Sequence, residues 1–326
     1  HNYSSIPYLD IVNEVLENSI NTSGNVYEEM TTGKYPFNLP FNYENERIKK
    51  FLSYLNVTLE ELYKSFSNLR DSASIRENLE ISPAEYDNRI VSREYLQLSQ
   101  EEYNTYTIED YQAEDIKKYY RNESFENLKK VEHFLKITEI SGHELRELLY
   151  QNLNQGENGG NHQSKIETIK ADEFFINYDL NGYAKLDEDE ENIIFWSRDS
   201  EIAIPLVWYE RVNRFIRIAK KISISFTDLD IILRSCCNNK LDREAIQKIA
   251  VIKQLHDLYE LPFDVICSFF SDINILGIGN ENQPQDLFNR IFNLRFADID
   301  KKYILVSDFV PQAYSDNQIY SRLSYS

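Results

Sequence analysis

Seven apolar positions recur in one register three times along this 326-residue chain, and that recurrence points to packed helix pairs. With Val131, Phe215 and Ile249 taken as zero, position −3 is Leu128, Val212 and Ile246, and position +3 is Phe134, Ile218 and Ile252. Position +9 is Ile140, Ile224 and Leu258, and position +14 is Leu145, Leu229 and Phe263. Positions +17 and +18 are Leu148-Leu149, Ile232-Leu233 and Ile266-Cys267. The −3, 0, +3 spacing makes one helical stripe and +14, +17, +18 makes another. The residue at +9 reads as a buried anchor in the connection. Each unit is then an αα-hairpin, and several stack because one alone cannot bury its stripe. A looser fourth copy runs from Ile48 and Phe51 to Leu62, with a shorter connection. Cys267 falls on a core position and reads as a small buried hydrophobe.

Local signals agree with helices. Thr58-Leu-Glu-Glu61, Ser99-Gln-Glu-Glu102 and Ser141-Gly-His-Glu144 are capping boxes, in which the hydroxyl accepts an orphan N–H and the Glu reaches back. Residues 9–20 place Leu9, Val12, Leu16 and Ile20 on one face. Pro36 and Pro40 force their neighbours extended, so 33–41 is a rigid crossover. Only 9 glycines and 8 prolines occur, too few for the turns of an all-β sandwich or barrel. One stretch departs from the pattern. The Gly cluster at 154–162 reads as a surface loop, and 173–187 holds two short runs flanking Asn181-Gly182, a hairpin signal. Residues 192–196 read as a third strand, and helical periodicity resumes at Tyr209. The predicted fold is mainly α, stacked αα-hairpins with a small β-hairpin insertion around 173–196. Its parts are helical 1–153, the loop and insertion 154–208, and helical 209–326.

Signatures of catalysis are sparse. Gly33-Lys34 is followed by Tyr35, which is no phosphate loop, and Gly277 and Gly279 lack the third glycine of a dinucleotide fingerprint. No Gly-x-Ser-x-Gly, His-Glu-x-x-His or Cys-x-x-Cys occurs. The expectation is a chain with no catalytic residue, no cofactor and no metal. Three cysteines, two adjacent, make no disulfide framework. His1, His133, His143, His162 and His256 read as solvated or edge-of-core side chains. Asp228-Leu-Asp230 resembles a metal-binding Asp-x-Asp but sits in the first turn after Ser225, where acids favour the helix dipole. Asp230 is expected to face solvent or that helix N-terminus. The acidic run 187–191 reads as a solvated turn.

Residues 177–188 also match a calcium loop, with oxygen ligands at Asn177, Asp179 and Asn181, Gly182 at the sharp turn and Glu188 at the end. Asn177 removes the usual charge, Lys185 aims a cation at the ion, and no helices flank the segment, so a hairpin turning at Asn181-Gly182 is preferred. The net charge of −19 argues against nucleic acid and anionic membrane surfaces as partners. With 23 tyrosines that ionise near pH ~10, alkaline pH should loosen an assembly while leaving an isolated chain folded.

Residues 209–235, YERVNRFIRIAKKISISFTDLDIILRS, resemble the signature stretch of the A component (TcA) of bacterial insecticidal toxin complexes. Arg211, Arg214 and Arg217 stand where that family has an arginine-rich helix, and Leu229-Asp-Ile-Ile-Leu233 where it has the next one. Residues 6–17, 35–52, 93–107 and 286–296 are similar to the same family's N-terminal block, which the Salmonella plasmid virulence A-protein family shares. The resemblance implies a secreted, homopentameric α-helical shell. It surrounds a channel, binds a cell-surface receptor and delivers a toxin held by partner components. The matching motifs are framework, so the resemblance implies no catalytic residue and no membrane insertion by this stretch. Family members are far longer, and with His1 in place of Met the expectation is a piece of a longer chain. The alternatives are a stand-alone helical-repeat scaffold that binds partner proteins and, more weakly, a hydrolase in 170–210.

Overall fold

The computed structural model describes residues 8–19, 25–66, 83–108, 112–149, 171–197 and 200–274, with Leu287, Arg290 and Ile291. The Gly cluster 154–162, Ile20, His1, His162 and most of 286–296 lie outside the described residues. The first half carries α1 (Tyr8–Ser19), α2 (Val26–Thr32), α3 (Tyr43–Tyr54), α4 (Leu59–Phe66), α5 (Pro83–Tyr95) and α6 (Gln100–Tyr106). Next come α7 (Ala113–Tyr119), α8 (Phe125–Leu128), α9 (Val131–Thr138) and α10 (Gly142–Leu148). A short antiparallel sheet follows, β1 (Tyr183–Leu186), β2 (Ile193–Ser197) and β3 (Ser200–Ile202), in that spatial order. Then come α11 (Leu206–Ile222), α12 (Phe226–Cys236), α13 (Arg243–Tyr259) and α14 (Phe263–Cys267). The fold is mainly helical with a small β insertion, as the register predicts.

The repeated unit is a helix corner of fixed chemistry. Asn56-Val57-Thr58, Gln97-Leu98-Ser99, Glu139-Ile140-Ser141, Ser223-Ile224-Ser225 and Glu260-Leu261-Pro262 join five consecutive-helix pairs. The first residue of each is left-handed, with φ from 53 to 56°. In three corners the next N–H reaches back five residues to the first helix: Val57 to Leu52 O, Leu98 to Arg93 O and Ile224 to Ala219 O, at 3.0–3.2 Å. That is the Schellman closure, which satisfies orphan carbonyls at a helix end. The third residue starts the next helix. Thr58, Ser99 and Ser141 accept the N–H of Glu61, Glu102 and Glu144 at 3.1, 3.2 and 3.1 Å, and each Glu accepts the cap's own N–H. All three predicted capping boxes are formed.

The seven-position register holds with one exception. Its members are buried apart from half-buried Val131 and from Leu258, which is 70% exposed. In the first two copies the left-handed residue falls eight places after zero, at Glu139 and Ser223; in the third it falls eleven places after, at Glu260. Helix α13 therefore runs nearly one turn further past its zero position than α11 does. Leu258 is still on that helix, and Leu261 is the anchor packed against the core. Phe263, Ile266 and Cys267 stay buried because a three-residue slip nearly restores helical phase.

The insertion differs from its predicted shape. Residues 173–180 form no strand, and the hairpin does not turn at Asn181-Gly182. Phe174, Phe175 and Ile176 are buried in succession, so the period of two that a half-buried strand requires is missing. The chain coils here instead: Asn177 N–H and Tyr178 N–H both donate to Phe174 O, at 2.9 and 2.8 Å. The true hairpin pairs Tyr183 with Trp196 and Leu186 with Ile193, turning through the acidic run. Asp187 organises that turn by accepting the N–H groups of Glu191 and Asn192 at 2.9 and 3.1 Å, and hydrogen bonding with Asn192 holds its carboxyl below the usual range. Gly182 serves close approach, since a Cβ there would lie 2.5 Å from Trp196 O. The sheet is tied to the helices where Val131 N–H donates to Glu191 O and Ile193 N–H to Lys129 O, at 2.9 and 2.7 Å.

One hydrophobic cluster runs from Phe37 to Cys267 and takes in the helices from α6 onward and the inner face of the sheet. Helix α13 packs against α5, and α12 against α10, α13 and α14. The crossover at 33–41 carries no helix, as its prolines dictate. Helices α1 and α3 do not bury their apolar faces: Leu16, Ile48 and Phe51 are exposed.

Candidate functional site: the cationic ladder of the central helix

Helix α11 is the axis of the second half, with Trp208, Val212, Phe215, Ile216 and Ile218 fully buried. Three arginines and a lysine interrupt that apolar surface at every third residue: Arg211, Arg214, Arg217 and Lys220. Three residues fall about 60° short of a full turn, so the four cations fan out over roughly half the helix circumference. Each meets a different segment, at a loop or a helix end. Arg211 donates to Phe175 O at 3.3 Å and to Tyr178 O. Arg214 donates to Tyr106 O at 3.1 Å and Leu241 O at 2.6 Å. Lys220 donates to Thr138 O and Glu139 O at 3.1 and 2.6 Å, which closes the α9–α10 corner from outside.

Arg217 is the deepest of them. Its guanidinium donates to Lys34 O at 2.5 Å, Phe37 O at 3.1 Å, Leu39 O and Asn213 Oδ1. It also lies 4.6 Å from the Phe37 ring centre and 5.3 Å from that of Tyr119. The proline-bound crossover cannot pair its own carbonyls in a helix, and one planar five-donor group takes three of them. Burial pulls the guanidinium down from its ordinary range, opposed by the ionisable tyrosines Tyr106, Tyr119 and Tyr120 around it. Glu210, one turn before Arg214 and paired with it at 3.0 Å, is pushed up by burial and held back by that arginine. Lys221 adds an ion pair to Glu102 at 2.7 Å, fixing α6 to α11.

The chemistry of the ladder is hydrogen-bond donation to carbonyls. A guanidinium has no acceptor and stays protonated, so it is a clamp and not a general base. The sequence marks these arginines as framework but does not say what they hold, because the carbonyls on Arg217 lie 178 to 183 residues away. The visible signal is a cation at every third position inside a helix whose other faces are apolar.

Several of the remaining sequence candidates have partners within the fold. Asp228 caps α12 with Ser225: Asp228 N–H donates to Ser225 Oγ at 3.0 Å, and Ser225 Oγ–H donates back to the carboxylate at 2.7 Å. Asp230 does not face solvent or the helix N-terminus. It is 1% exposed, accepts Phe175 N–H at 2.8 Å and pairs with Arg234 at 3.4 Å. It thus anchors from α12 the coil that Arg211 anchors from α11. Asn177, the first ligand position of the calcium-loop reading, is buried with its amide engaged: Nδ2 donates to Ala171 O at 2.9 Å and Oδ1 accepts Ala184 N–H at 3.2 Å. Lys185 stacks 4.2 Å over the Trp196 ring. His133 is half-buried and His143 exposed, while His256 stacks on Phe263 at 4.2 Å with Nδ1 2.8 Å from Leu261 O.

Comparison with known proteins finds similarity to a family model and to solved structures. The family model of the Salmonella virulence plasmid 28.1kDa A protein matches residues 2–144, which end before α11. The cryo-EM structure of Morganella morganii TcdA4 is similar over 87% of this chain, with a TM-score of 0.51 and 12% identity. The alignment covers 16% of that chain, so this sequence spans about a sixth of it. No curated protein matches. The resemblance read from the sequence is met by the family model over 2–144 and, at the level of fold, over most of the chain.

Proposed function

We propose that this chain is a non-enzymatic part of the α-helical shell of a toxin-complex A component. In this reading it belongs to a secreted homopentamer that binds a target-cell receptor and translocates a toxin held by the other components. The observation that carries the reading is the coincidence of the virulence A-protein match over 2–144 with a TcdA4-like fold over 87% of the chain. The ladder supports it, because its four cations, Arg217 the buried one among them, are engaged in fixing distant segments to a helix frame. No described helix is long and apolar enough to cross a membrane, and the reading assigns membrane entry to other parts of the assembly.

Electron microscopy of the full-length protein is the test. Five-fold bell-shaped particles are expected. Monomers across the working concentration range would favour a stand-alone helical-repeat scaffold. The non-enzymatic part has its own check, in which turnover on esterase, glycosidase or nucleotidase panels, lost on one substitution in the chain, would overturn it.

A further inference from the structure

We propose that helix α1 of one copy of this chain docks, antiparallel, on helix α3 of the next copy. Both helices leave an apolar stripe uncovered, with the same i, i+3, i+7 spacing. On α1 the stripe is Tyr8, Ile11 and Val15, which are 77, 46 and 62% exposed. On α3 it is Ile48, Phe51 and the cap residue Leu55, which are 51, 67 and 59% exposed. No described side chain of α1 is buried, and none enters the hydrophobic cluster. A helix of 12 residues is marginal in water without a packed face, so α1 is built for a partner.

The two stripes do not close on each other within one chain. Tyr27 hydrogen-bonds Glu17 near the end of α1, and its ring lies 4.4 Å from that of Tyr43 at the start of α3. Those ends are held close while both stripes stay exposed.

Charge and register name a second copy as the occupant. Helix α1 carries three acids and no base, whereas α3 carries three bases and two acids in a chain of net charge −19. At ~100° per residue, Glu14 flanks the α1 stripe on the same rotational side as Arg47 and Lys50 flank that of α3. Matching flanks of two facing helices adjoin only when the helices run antiparallel. With the stripes centred on each other, Val15 then meets Ile48, Ile11 meets Phe51 and Tyr8 meets Leu55. Glu14 falls level with Lys49, between Arg47 and Lys50. Glu14, Arg47 and Lys50 are all exposed. Within one chain Arg47 pairs only with its neighbour Glu44, at 3.3 Å, and Lys50 lies 5.5 Å over the Tyr54 ring. The contact joins two different faces, so it repeats from copy to copy and closes a ring where the rotation allows. The inference rests on the proposed homopentamer and assigns one of its surfaces.

Sedimentation of the full chain at rising concentration is the test. Self-association is expected at micromolar concentration or above, because two short helices bury less than the ~1,600 Å² of a standard interface. High salt should weaken it. Glu14→Lys should weaken it at least about tenfold, and so should Arg47→Glu combined with Lys50→Glu, since like charges then meet. A mixture of these two variants should associate again, because opposite charges meet once more. Phe51→Asp alone should abolish association. Association unchanged by the charge reversals, no recovery on mixing, or a chain monomeric at every concentration would each overturn the α1–α3 contact. Five-fold particles of the full-length protein beside any of these results would leave the homopentamer standing, whereas monomers in both would remove both.

Discussion

The hairpins α3–α4 and α11–α12 turn through the same corner, yet only one pair is core. Asn56-Val57-Thr58 and Ser223-Ile224-Ser225 share the left-handed residue, the five-residue backbone closure and the hydroxyl cap. In α11–α12 the stripe residues Phe215, Ile218, Leu229 and Ile232 are fully buried; in α3, Ile48 and Phe51 are exposed. The difference lies in what surrounds them. Helix α11 is enclosed by α6, α7 and α12 and carries four cations that tie in distant loops, while the faces of α3 and α1 have no such cover among the described residues. Local sequence makes the corner, and only long-range partners make the core.

The largest expected effect comes from alkaline pH, which acts on the covered half. Burial pushes the phenols of Tyr106, Tyr120 and Tyr209 above their ordinary range. A folded value raised above the unfolded ~10 means that stability is fully present below pH ~10 and is lost as pH rises toward the folded values. The isolated chain should therefore lose denaturant stability from pH ~10 upward. This replaces the expectation from charge alone that an isolated chain stays folded while an assembly loosens. Urea midpoints across pH 8–12 test it, and Tyr106→Phe should flatten the decline. A midpoint constant to pH ~12 would show that these phenols ionise without unfolding.

Next in size is Arg217→Met. It keeps bulk and removes the donors to Lys34 O, Phe37 O and Leu39 O, leaving the buried Phe37 carbonyl and two part-buried ones without that partner. A loss of about 3–5 kcal/mol is expected, in the range for breaking a buried charged network. Proteolysis at 33–41 should rise with it. Equal stability would mean that the crossover is held by its prolines and not by the arginine.

The comparison is tested directly by a matched pair. Leu229→Asp places a charge in the buried stripe and should cost several kcal/mol. Phe51→Asp, at a position 67% exposed, should change stability by under ~1 kcal/mol in the isolated chain. Equal losses would show that the α3 face is covered after all.

A second pair separates two acids that look equivalent in sequence. Asp230→Asn should cost about 1–3 kcal/mol, because the charge-assisted bond to Phe175 N–H and the pair with Arg234 are buried. The same change at Asp228, which only caps α12, should cost under ~1 kcal/mol. These acids also mark what the sequence can disclose. Ser99 with Glu102 and Ser141 with Glu144 are legible because cap and partner lie three residues apart. Asp230 is not, because Phe175 is 55 residues away. Asn181-Gly182 misleads for a related reason. Its left-handed φ is real, but Gly182 is needed where the chain passes Trp196 O, and the hairpin turns elsewhere. Helical stripes are legible wherever burial follows period, and Leu258 shows the limit, since a slip of nearly one turn preserves the pattern while moving the corner.

The smallest expected effect is a gain, at the corner both hairpins share. Ser223 adopts φ 55° and ψ 46°, a conformation that costs an L-residue about 1 kcal/mol and glycine very little. The corners of this chain use Asn, Gln, Glu and Ser there and not glycine. Ser223→Gly relieves that cost and gives part of it back through the greater freedom of the unfolded chain. A net stabilisation of about 0.5 kcal/mol is expected, seen as a raised urea midpoint at unchanged slope. Asn56→Gly should gain less, since asparagine already tolerates the left-handed region. A loss at Ser223 and none at Asn56 would mean that the Ser223 side chain does something in the core hairpin that its counterpart in the exposed one does not. The two corners would then differ in chemistry as well as in cover.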